Sequence, residues 1–386
     1  MLDSIPKVSN EGMLVRLLVS FLATAGLFYV NIMPALVEGL KTALGFSNQQ
    51  AGMIGSANVY GASVGALLVV FYVQKMPWRL ACLALLLTLM LIDLVSMVIT
   101  NVEMLIAVRF VHGLVGGALV GIGFAIIAKT CQPDRTFGML LLVQFGFGGL
   151  GMMYIPQLVE AYGVVFLFVS LISFSLITLM MLPFIPDFKD LQAKTLSRTA
   201  WQLVLNKPLL LTLLSIFLFQ GANMGLYAFI VGLGRHYGLP LDFITTTLAW
   251  AAWVGIIGSL LVIWLSTRFG TTKPLLLGIS LTALGTWALL YSGEEMVWIV
   301  ANMGVGITWA FVIPYLFALC AELDDNGQIA AMAGLVSKLG LASGPVMTGF
   351  LLGEDDYGQI IIIAVVVLAV CLITSLLAER AINQHR

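Results

Sequence analysis

The stretch MLIAVRFVHGLVGGALVGIGFAIIA, residues 104–128, decides the fold. It is long enough to span a bilayer, because a helix needs about 20 mostly apolar residues to cross the hydrocarbon core. Its two titratable residues, Arg109 and His112, are three positions apart and therefore share one helix face. Gly113 and Gly116 continue that face and permit close approach of another helix. The stretch predicts a membrane-spanning helix with one polar, closely packed face.

Similar apolar segments fill most of the chain. Of its 386 residues, 60% are hydrophobic and only 10% are charged, whereas roughly a quarter of a soluble domain is charged. We therefore predict an all-α integral membrane protein with twelve transmembrane helices. The predicted spans are 14–37, 49–73, 80–99, 104–128, 137–158, 163–185, 208–232, 243–265, 274–292, 296–320, 328–352 and 358–378.

Basic residues fall mainly on one side of these predicted helices. With the N-terminus in the cytoplasm, 14 of the 18 lysines and arginines lie on the inner side: Lys7, Arg16, Lys75, Arg79, Lys129, Arg135, Lys189, Lys194, Arg198, Lys207, Arg268, Lys273, Arg380 and Arg386. Lys41 and Arg235 fall outside, and Arg109 and Lys338 lie within helices. The excess of positive charge predicts a multi-pass protein of the inner cell membrane with both termini in the cytoplasm.

One polar, basic loop divides the chain into two halves. It predicts an N-terminal six-helix bundle over 1–185, a cytoplasmic linker over 186–207 and a C-terminal six-helix bundle over 208–386. An offset of 193 residues pairs glycines of the two halves: Gly65 with Gly258, Gly113 with Gly306 and Gly151 with Gly344. Two six-helix halves related by a parallel repeat are typical of secondary transporters whose substrate site lies near the midplane between the halves.

The sequence resembles the major facilitator superfamily over essentially its whole length. The most specific likeness is RFVHGLVGGA (109–118), which is similar to the family pattern R-x-x-Q-G-x-x-x-G-A with His112 in place of the glutamine. Residues 34–68 are similar to the first helical hairpin of the family. The resemblance implies two pseudo-symmetric six-helix bundles that alternate access to a central site. It also implies that Arg109 takes part in substrate binding or proton coupling.

Two motifs depart from the family pattern. The loop between helices 2 and 3, G-x-L-x-D-R-x-G-R-R in the family, reads VFYVQKMPWR here (70–79), with Gln74 for the acid and Pro77 for the glycine. In the family this loop latches the cytoplasmic gate, so the resemblance implies a weakened latch. The drug-exporter signature G-x-x-x-G-P is missing from 146–156 and occurs instead at 340–345. This departure disfavours a proton-driven drug antiporter.

Ionisable residues inside the predicted spans are candidate functional residues, because burying a charge in a membrane costs energy. They are Asp93, Arg109, Lys338 and His112. Asp93 lies eight residues before the turn centre at 101 and Arg109 eight after it, which places both about 10 Å along their helices from the turn. An ion pair between them would let protonation of Asp93 free Arg109, and His112 is a further candidate proton carrier. The alternatives are that Asp93 faces the outer interface and that Arg109 and His112 only bond neighbouring helices.

Arg109 and Lys338, one in each half, predict a positively charged site for an anionic substrate, such as a carboxylate. Uncharged residues on helices expected to line the cavity complete the candidate substrate site. They are Asn31, Gln220, Asn223, Tyr227, Trp309, Tyr315 and Asn302, the last of which aligns with Arg109 in the repeat. The alternative for each of them is a hydrogen bond between helices.

The sequence lacks the motifs of several other classes. It has no G-x-x-x-x-G-K-[ST] loop for ATP and no catalytic motif of an enzyme. Its four cysteines are scattered, and its net charge of −1 does not favour a nucleic-acid partner.

We therefore predict a monomeric secondary active transporter in the lipid bilayer. It would move a small organic solute, an organic anion or metabolite, by coupling to protons, with no cofactor or metal. A multidrug efflux antiporter and a non-transporting membrane sensor or scaffold are the alternatives.

Overall fold

The computed structural model describes residues 7–72, 77–188, 206–265, 268, 270–323, 328–353 and 355–384. Within these ranges the chain is helical and contains no β-strand. The helices are α1 (Met13–Ala25), α2 (Phe28–Asn31), α3 (Met33–Leu44), α4 (Asn48–Tyr72), α5 (Trp78–Ser96), α6 (Val102–Ile127), α7 (Pro133–Tyr162), α8 (Val165–Met181), α9 (Lys207–Ala228), α10 (Ile230–His236), α11 (Leu241–Leu265), α12 (Thr272–Ala288), α13 (Glu295–Ala321), α14 (Gln328–Leu352) and α15 (Tyr357–Gln384).

Eleven helices of the described chain are long and apolar enough to cross a membrane. The remaining predicted span, 14–37, is not one continuous helix but the three pieces α1, α2 and α3, so that boundary prediction is wrong. Pro34 explains the second break, because a proline is tolerated in the first turn of a helix and not in its interior. Gly26 follows α1 where the backbone meets α6, and a Cβ added to Gly26 would lie 2.2 Å from the carbonyl oxygen of Gly116.

The chain divides into two compact units. Unit 1 comprises Met1–Phe46 and Ala57–Ala193, and unit 2 comprises Ser47–Ser56 and Lys194–Arg386. The short first segment of unit 2 contacts the end of α14 through Asn48, whose Nδ2 donates to the carbonyl oxygen of Gly353 at 3.1 Å and to Oδ1 of Asp355 at 2.9 Å. Most of the predicted linker, residues 189–205, lies outside the described residues.

The same close glycine contact occurs in both units. A Cβ added to Gly65 would lie 1.9 Å from the carbonyl oxygen of Leu114, and one added to Gly258 would lie 2.0 Å from that of Ile307. Gly258 follows Gly65 by 193 positions and Ile307 follows Leu114 by 193, which is the offset found in the sequence. A further pair of contacts at this offset joins Gly113 to Asn58 and Gly306 to Ala251. Glycine therefore lets α4 approach α6 in unit 1, and α11 approach α13 in unit 2, in equivalent ways.

Large apolar side chains are exposed and one pair of opposite charges is buried, the reverse of what is usual in a soluble protein. Val98 is 80% exposed and Ile263 is 76% exposed, whereas Asp93 is 0% and Arg109 is 1% exposed. Apolar side chains on the outside suit lipid, and ionisable residues of membrane helices are expected to face the bundle interior. This distribution supports a bilayer as the solvent of the described helices.

Candidate functional site

An ion pair lies inside unit 1 between α5 and α6. Arg109 donates from Nη1 to Oδ1 of Asp93 at 2.7 Å, and both side chains are buried. Asn101 begins α6 by accepting a hydrogen bond from the backbone N–H of Met104 at 2.9 Å, which fixes the turn between the two helices. The structure thus contains the ion pair that the equal spacing of the two residues about this turn makes possible. The alternative that Asp93 faces the outer interface is wrong.

The guanidinium of Arg109 has further partners on α5 and α8. Nη2 donates to the hydroxyl of Ser96 and to the carbonyl oxygen of Ile92, the latter at 3.3 Å. The ring of Phe168 lies 5.1 Å from the guanidinium carbon, within the range of a cation–π contact. Sequence reasoning missed Ser96, although it follows Asp93 by three residues and so shares its helix face. These contacts engage Arg109 within unit 1.

His112 extends the ion pair to a third helix. Its Nε2 lies 3.3 Å from Oδ2 of Asp93, and its Nδ1 lies 2.7 Å from Nδ2 of Asn58 on α4. The same amide nitrogen of Asn58 donates to the carbonyl oxygen of Arg109 at 3.2 Å. We call these residues, Asp93, Ser96, Arg109, His112 and Asn58, the α4–α6 cluster. It contains one negative and one positive charge when His112 is neutral.

Unit 2 contains a second polar cluster, built from three predicted residues and one that was not predicted. Trp309 donates from Nε1 to Oε1 of Gln220 at 2.8 Å, and Gln220 donates from Nε2 to the hydroxyl of Ser337 at 2.7 Å. The ring of Tyr227 meets that of Trp309 edge to face, with centroids 5.9 Å apart. We call these residues the Gln220 cluster. It joins α9, α13 and α14.

Lys338 follows Ser337 directly on α14 and is half-buried. Neither a hydrogen bond nor an ion pair joins its ammonium group to any residue of the described chain. A buried or half-buried charge normally has a partner, because removing it from water is costly. Lys338 therefore has no counter-charge among the described residues, although it lies within a membrane-spanning helix and next in sequence to a member of the Gln220 cluster.

The remaining predicted residues make contacts typical of helix packing. Asn223 and Asn302 donate to carbonyl oxygens one turn back on their own helices, at 2.8 and 2.9 Å. Asn31 lies 3.4 Å from the carbonyl oxygen of Gln144, and Tyr315 is buried in an apolar core of unit 2. Their predicted part in substrate binding stays a prediction.

The loop that carries the altered gate motif contributes a contact inside unit 1. Residues 73–76, including Gln74, lie outside the described residues. Arg79 donates to Oδ1 of Asp187 at 2.9 Å and to the carbonyl oxygen of Ile185, and Lys7 donates to Oδ2 of Asp187. The hydrogen bonds from Lys7 and Arg79 hold the pKa of Asp187 below its usual value. Arg79 thus ties the start of α5 to the chain that follows α8.

A cavity of about 310 Å³ lies in unit 1 where α1 begins and α6 ends. Two of its lining residues are joined by a hydrogen bond, which Arg16 donates to Oε1 of Gln132 at 2.7 Å. None of the predicted site residues lines this cavity, whose lining is Asn10, Glu11, Gly12, Val15, Arg16, Thr130, Cys131 and Gln132. Across the described residues, no group of three His, Cys, Asp or Glu side chains is placed to hold a metal ion.

Comparisons with known proteins agree with this architecture. The model of the Major Facilitator Superfamily matches residues 17–345. No curated protein matches the chain. Among solved structures, a mutant of the nucleoside transporter NupG is similar with a TM-score of 0.72 at 15% identity, covering 96% of this chain and 98% of that one. The structure of NupG itself gives a TM-score of 0.74 at 13% identity, covering 97% and 99%.

The match to the family model extends over most of the chain, and the likeness to the two structures shows a common fold. The eleven spanning helices and the broken first span account for the twelve predicted spans. Members of this family carry small molecules across the bilayer, so the protein is a transporter and not an enzyme. The chain belongs to the major facilitator superfamily of secondary transporters.

Proposed function

We propose that the protein moves a small organic anion across the inner membrane by alternating access, coupled to protons, with both termini in the cytoplasm. The observation that carries the anion is Lys338, the half-buried cation described above. A substrate carboxylate would supply the opposite charge that the described residues do not. A lipophilic drug cation would instead meet an uncompensated positive charge, which disfavours the multidrug alternative.

The Gln220 cluster supports a substrate site beside Lys338. Both ends of the Gln220 amide are engaged, by Trp309 and by Ser337, so the amide is fixed before any ligand arrives. The Ser337 hydroxyl accepts from Gln220, which leaves its own hydrogen to be donated to a ligand oxygen. Ser337 thus offers a hydroxyl donor and Lys338 an ammonium group, two kinds of donor from which an anion with several oxygen atoms accepts hydrogen bonds.

The α4–α6 cluster supports proton coupling. Because Asp93 and Arg109 neutralise each other in a buried site, protonating Asp93 would leave Arg109 charged and unpaired. That cost favours a conformation in which Arg109 finds other partners, and a shift between conformations is what coupling requires. Since Arg109 is already engaged, we assign it to proton coupling and Lys338 to the substrate.

The test compares the wild-type protein with the Lys338→Met variant. Purified protein is screened by thermal shift at two pH values with benzoate, citrate, uridine and a lipophilic cation as probes. Uridine is included because NupG is a nucleoside transporter. A stabilising probe is then used for uptake into proteoliposomes with and without a pH gradient. The matched control is Lys273→Met, which removes an exposed lysine at the start of α12.

We expect an anion to bind the wild type, and Lys338→Met to weaken that binding at least about 10-fold, which corresponds to about 1.4 kcal/mol. Lys273→Met should bind as the wild type does. A pH gradient should drive accumulation of the same anion. The anion proposal fails if only uridine or the cation is bound, or if Lys338→Met binds the anion normally.

A further inference from the structure

We infer that Asn58 is a positioning residue that keeps the imidazole of His112 neutral with its hydrogen on Nε2, so that Asp93 takes up the coupling proton. The last clause rests on the proposed function. The hydrogen placement at His112 rests on the geometry of the α4–α6 cluster alone.

The orientation of the Asn58 amide is fixed by the backbone. The atom at its nitrogen position lies 3.2 Å from the carbonyl oxygen of Arg109. A carbonyl oxygen only accepts hydrogen bonds, so turning the amide end for end would set two oxygens against each other. The atom that faces Arg109 is therefore the amide nitrogen, which carries two hydrogens and no available lone pair.

The amide nitrogen of Asn58 also determines which imidazole nitrogen of His112 carries no hydrogen. It lies 2.7 Å from Nδ1. An amide N–H can only donate, so Nδ1 must accept and has no hydrogen of its own. The neutral ring then carries its hydrogen on Nε2, which lies 3.3 Å from Oδ2 of Asp93. A carboxylate on one side and an amide donor on the other thus select a single tautomer.

Three other helices contribute to the surroundings of His112. Besides Asp93 on α5 and Asn58 on α4, the ring of Tyr29 on α2 lies 5.8 Å from the imidazole between centroids. Arg109, on the same helix as His112, directs its guanidinium to the other oxygen of Asp93. Asp93 therefore accepts a hydrogen bond from Arg109 at Oδ1 and has Nε2 of His112 at 3.3 Å from Oδ2.

A further proton would have different consequences at the two acceptors. On Nδ1 of His112 it would oppose the N–H of Asn58 and break that hydrogen bond without changing the charge of Asp93. On Oδ2 of Asp93 it would oppose the Nε2 hydrogen of His112 and also remove the counter-charge of Arg109. Only protonation of Asp93 removes the counter-charge of Arg109. The hydrogen bond from Asn58 occupies the lone pair of Nδ1 of His112, the other atom that could take up the proton. Asn58 thereby directs the proton to the residue that can transmit its arrival.

The tautomer is measured by nuclear magnetic resonance of the full chain in lipid nanodiscs with ¹⁵N-labelled histidine. The chain has three histidines, and His112→Gln identifies the signals of His112 by their loss. For the wild type near neutral pH we expect one neutral form at His112, with a hydrogen on Nε2 and none on Nδ1. A hydrogen on Nδ1, in either a neutral or a doubly protonated ring, would overturn the inference, and this measurement requires no variant of Asn58.

Two variants then test whether Asn58 is the cause. Asn58→Leu removes the donor at similar size, and we expect a mixture of tautomers. Asn58→Asp replaces the donor with an acceptor, and we expect the Nδ1 hydrogen to appear. Asn302→Leu, which removes an amide of unit 2 that donates to its own helix, is the control and should keep the wild-type tautomer. If neither Asn58 variant changes the tautomer, Asn58 does not position His112.

Failure of the proposed function would give a different result. If His112 shows the expected tautomer but no probe anion moves protons in proteoliposomes, proton coupling through Asp93 is refuted. The assignment of the Nε2 hydrogen to the influence of Asn58 would then stand by itself.

Discussion

Replacing Asp93 with leucine removes the counter-charge of a guanidinium that lies in the interior of unit 1. The distance of 2.7 Å between Nη1 of Arg109 and Oδ1 of Asp93 corresponds to an attraction of about 6 kcal/mol at an effective dielectric constant of about 20. Desolvation of both charges offsets part of this attraction. Removing one partner of a buried pair costs about 3–5 kcal/mol, because the other charge stays buried and unpaired. We expect Asp93→Leu to lower the free energy of unfolding by that amount.

The comparison that isolates the pair is a double-mutant cycle with Arg109→Met. The double variant has no buried charge at these positions, so it should lose less stability than the two single variants together, by at least about 2 kcal/mol. Reversible unfolding of the protein in mixed micelles, followed by circular dichroism as denaturing detergent is added, gives the three free-energy differences. If the losses of the single variants add within about 0.5 kcal/mol in the double variant, the two charges do not stabilise each other and the reasoning is refuted.

Two further variants test packing and surface charge. Gly113→Ala places a Cβ 1.8 Å from a backbone oxygen of α4, so α4 and α6 must separate. We expect this variant to lower the free energy of unfolding by about 1–3 kcal/mol in the same unfolding assay. The control is Gly146→Ala, whose added Cβ has nothing within 4 Å and should leave the free energy of unfolding unchanged. Asp187 has a pKa held down by Lys7 and Arg79, so its contribution to stability is present above its unfolded pKa of about 3.9 and is lost as the pH falls below it. Because Asp187 is 55% exposed, the Tm difference between wild type and Asp187→Asn should be small near neutral pH and should vanish in acid. A Tm difference that grows in acid would show that the carboxylate of Asp187 does not stabilise the fold.

The sequence was sufficient to predict features that depend on distance along a helix. The spans follow from apolar length, and the ion pair follows from equal spacing of Asp93 and Arg109 about one turn. Partners on helices distant in sequence depend on how each helix is rotated about its axis, which an apolar pattern does not reveal when lipid is the solvent. For this reason the contact between Asn58 and His112 was not predicted.

Two other outcomes have local causes. The second break in the first span could have been predicted from Pro34, because proline is tolerated in the first turn of a helix and not in its interior. The expectation that Arg109 and Lys338 share the work of substrate binding assumed that both side chains were available. In the structure the hydrogen-bonding partners of Arg109 are Asp93, Ser96 and Ile92, which the rotation of α5 brings to the same place.

The glycine contacts common to the two units have an implication for how such a chain can change over time. At the 193-residue offset Asp93 corresponds to Thr286 and Arg109 to Asn302, so one copy of a duplicated unit holds the charges while the other copy holds neutral residues at equivalent sites. The close glycine contacts occur in both units, whereas the two positions that hold the ion pair in unit 1 hold Thr286 and Asn302 in unit 2. Under the proposed function this is a division of labour. Substitutions in unit 2 can then change the substrate specificity without altering the proton-coupling residues of unit 1.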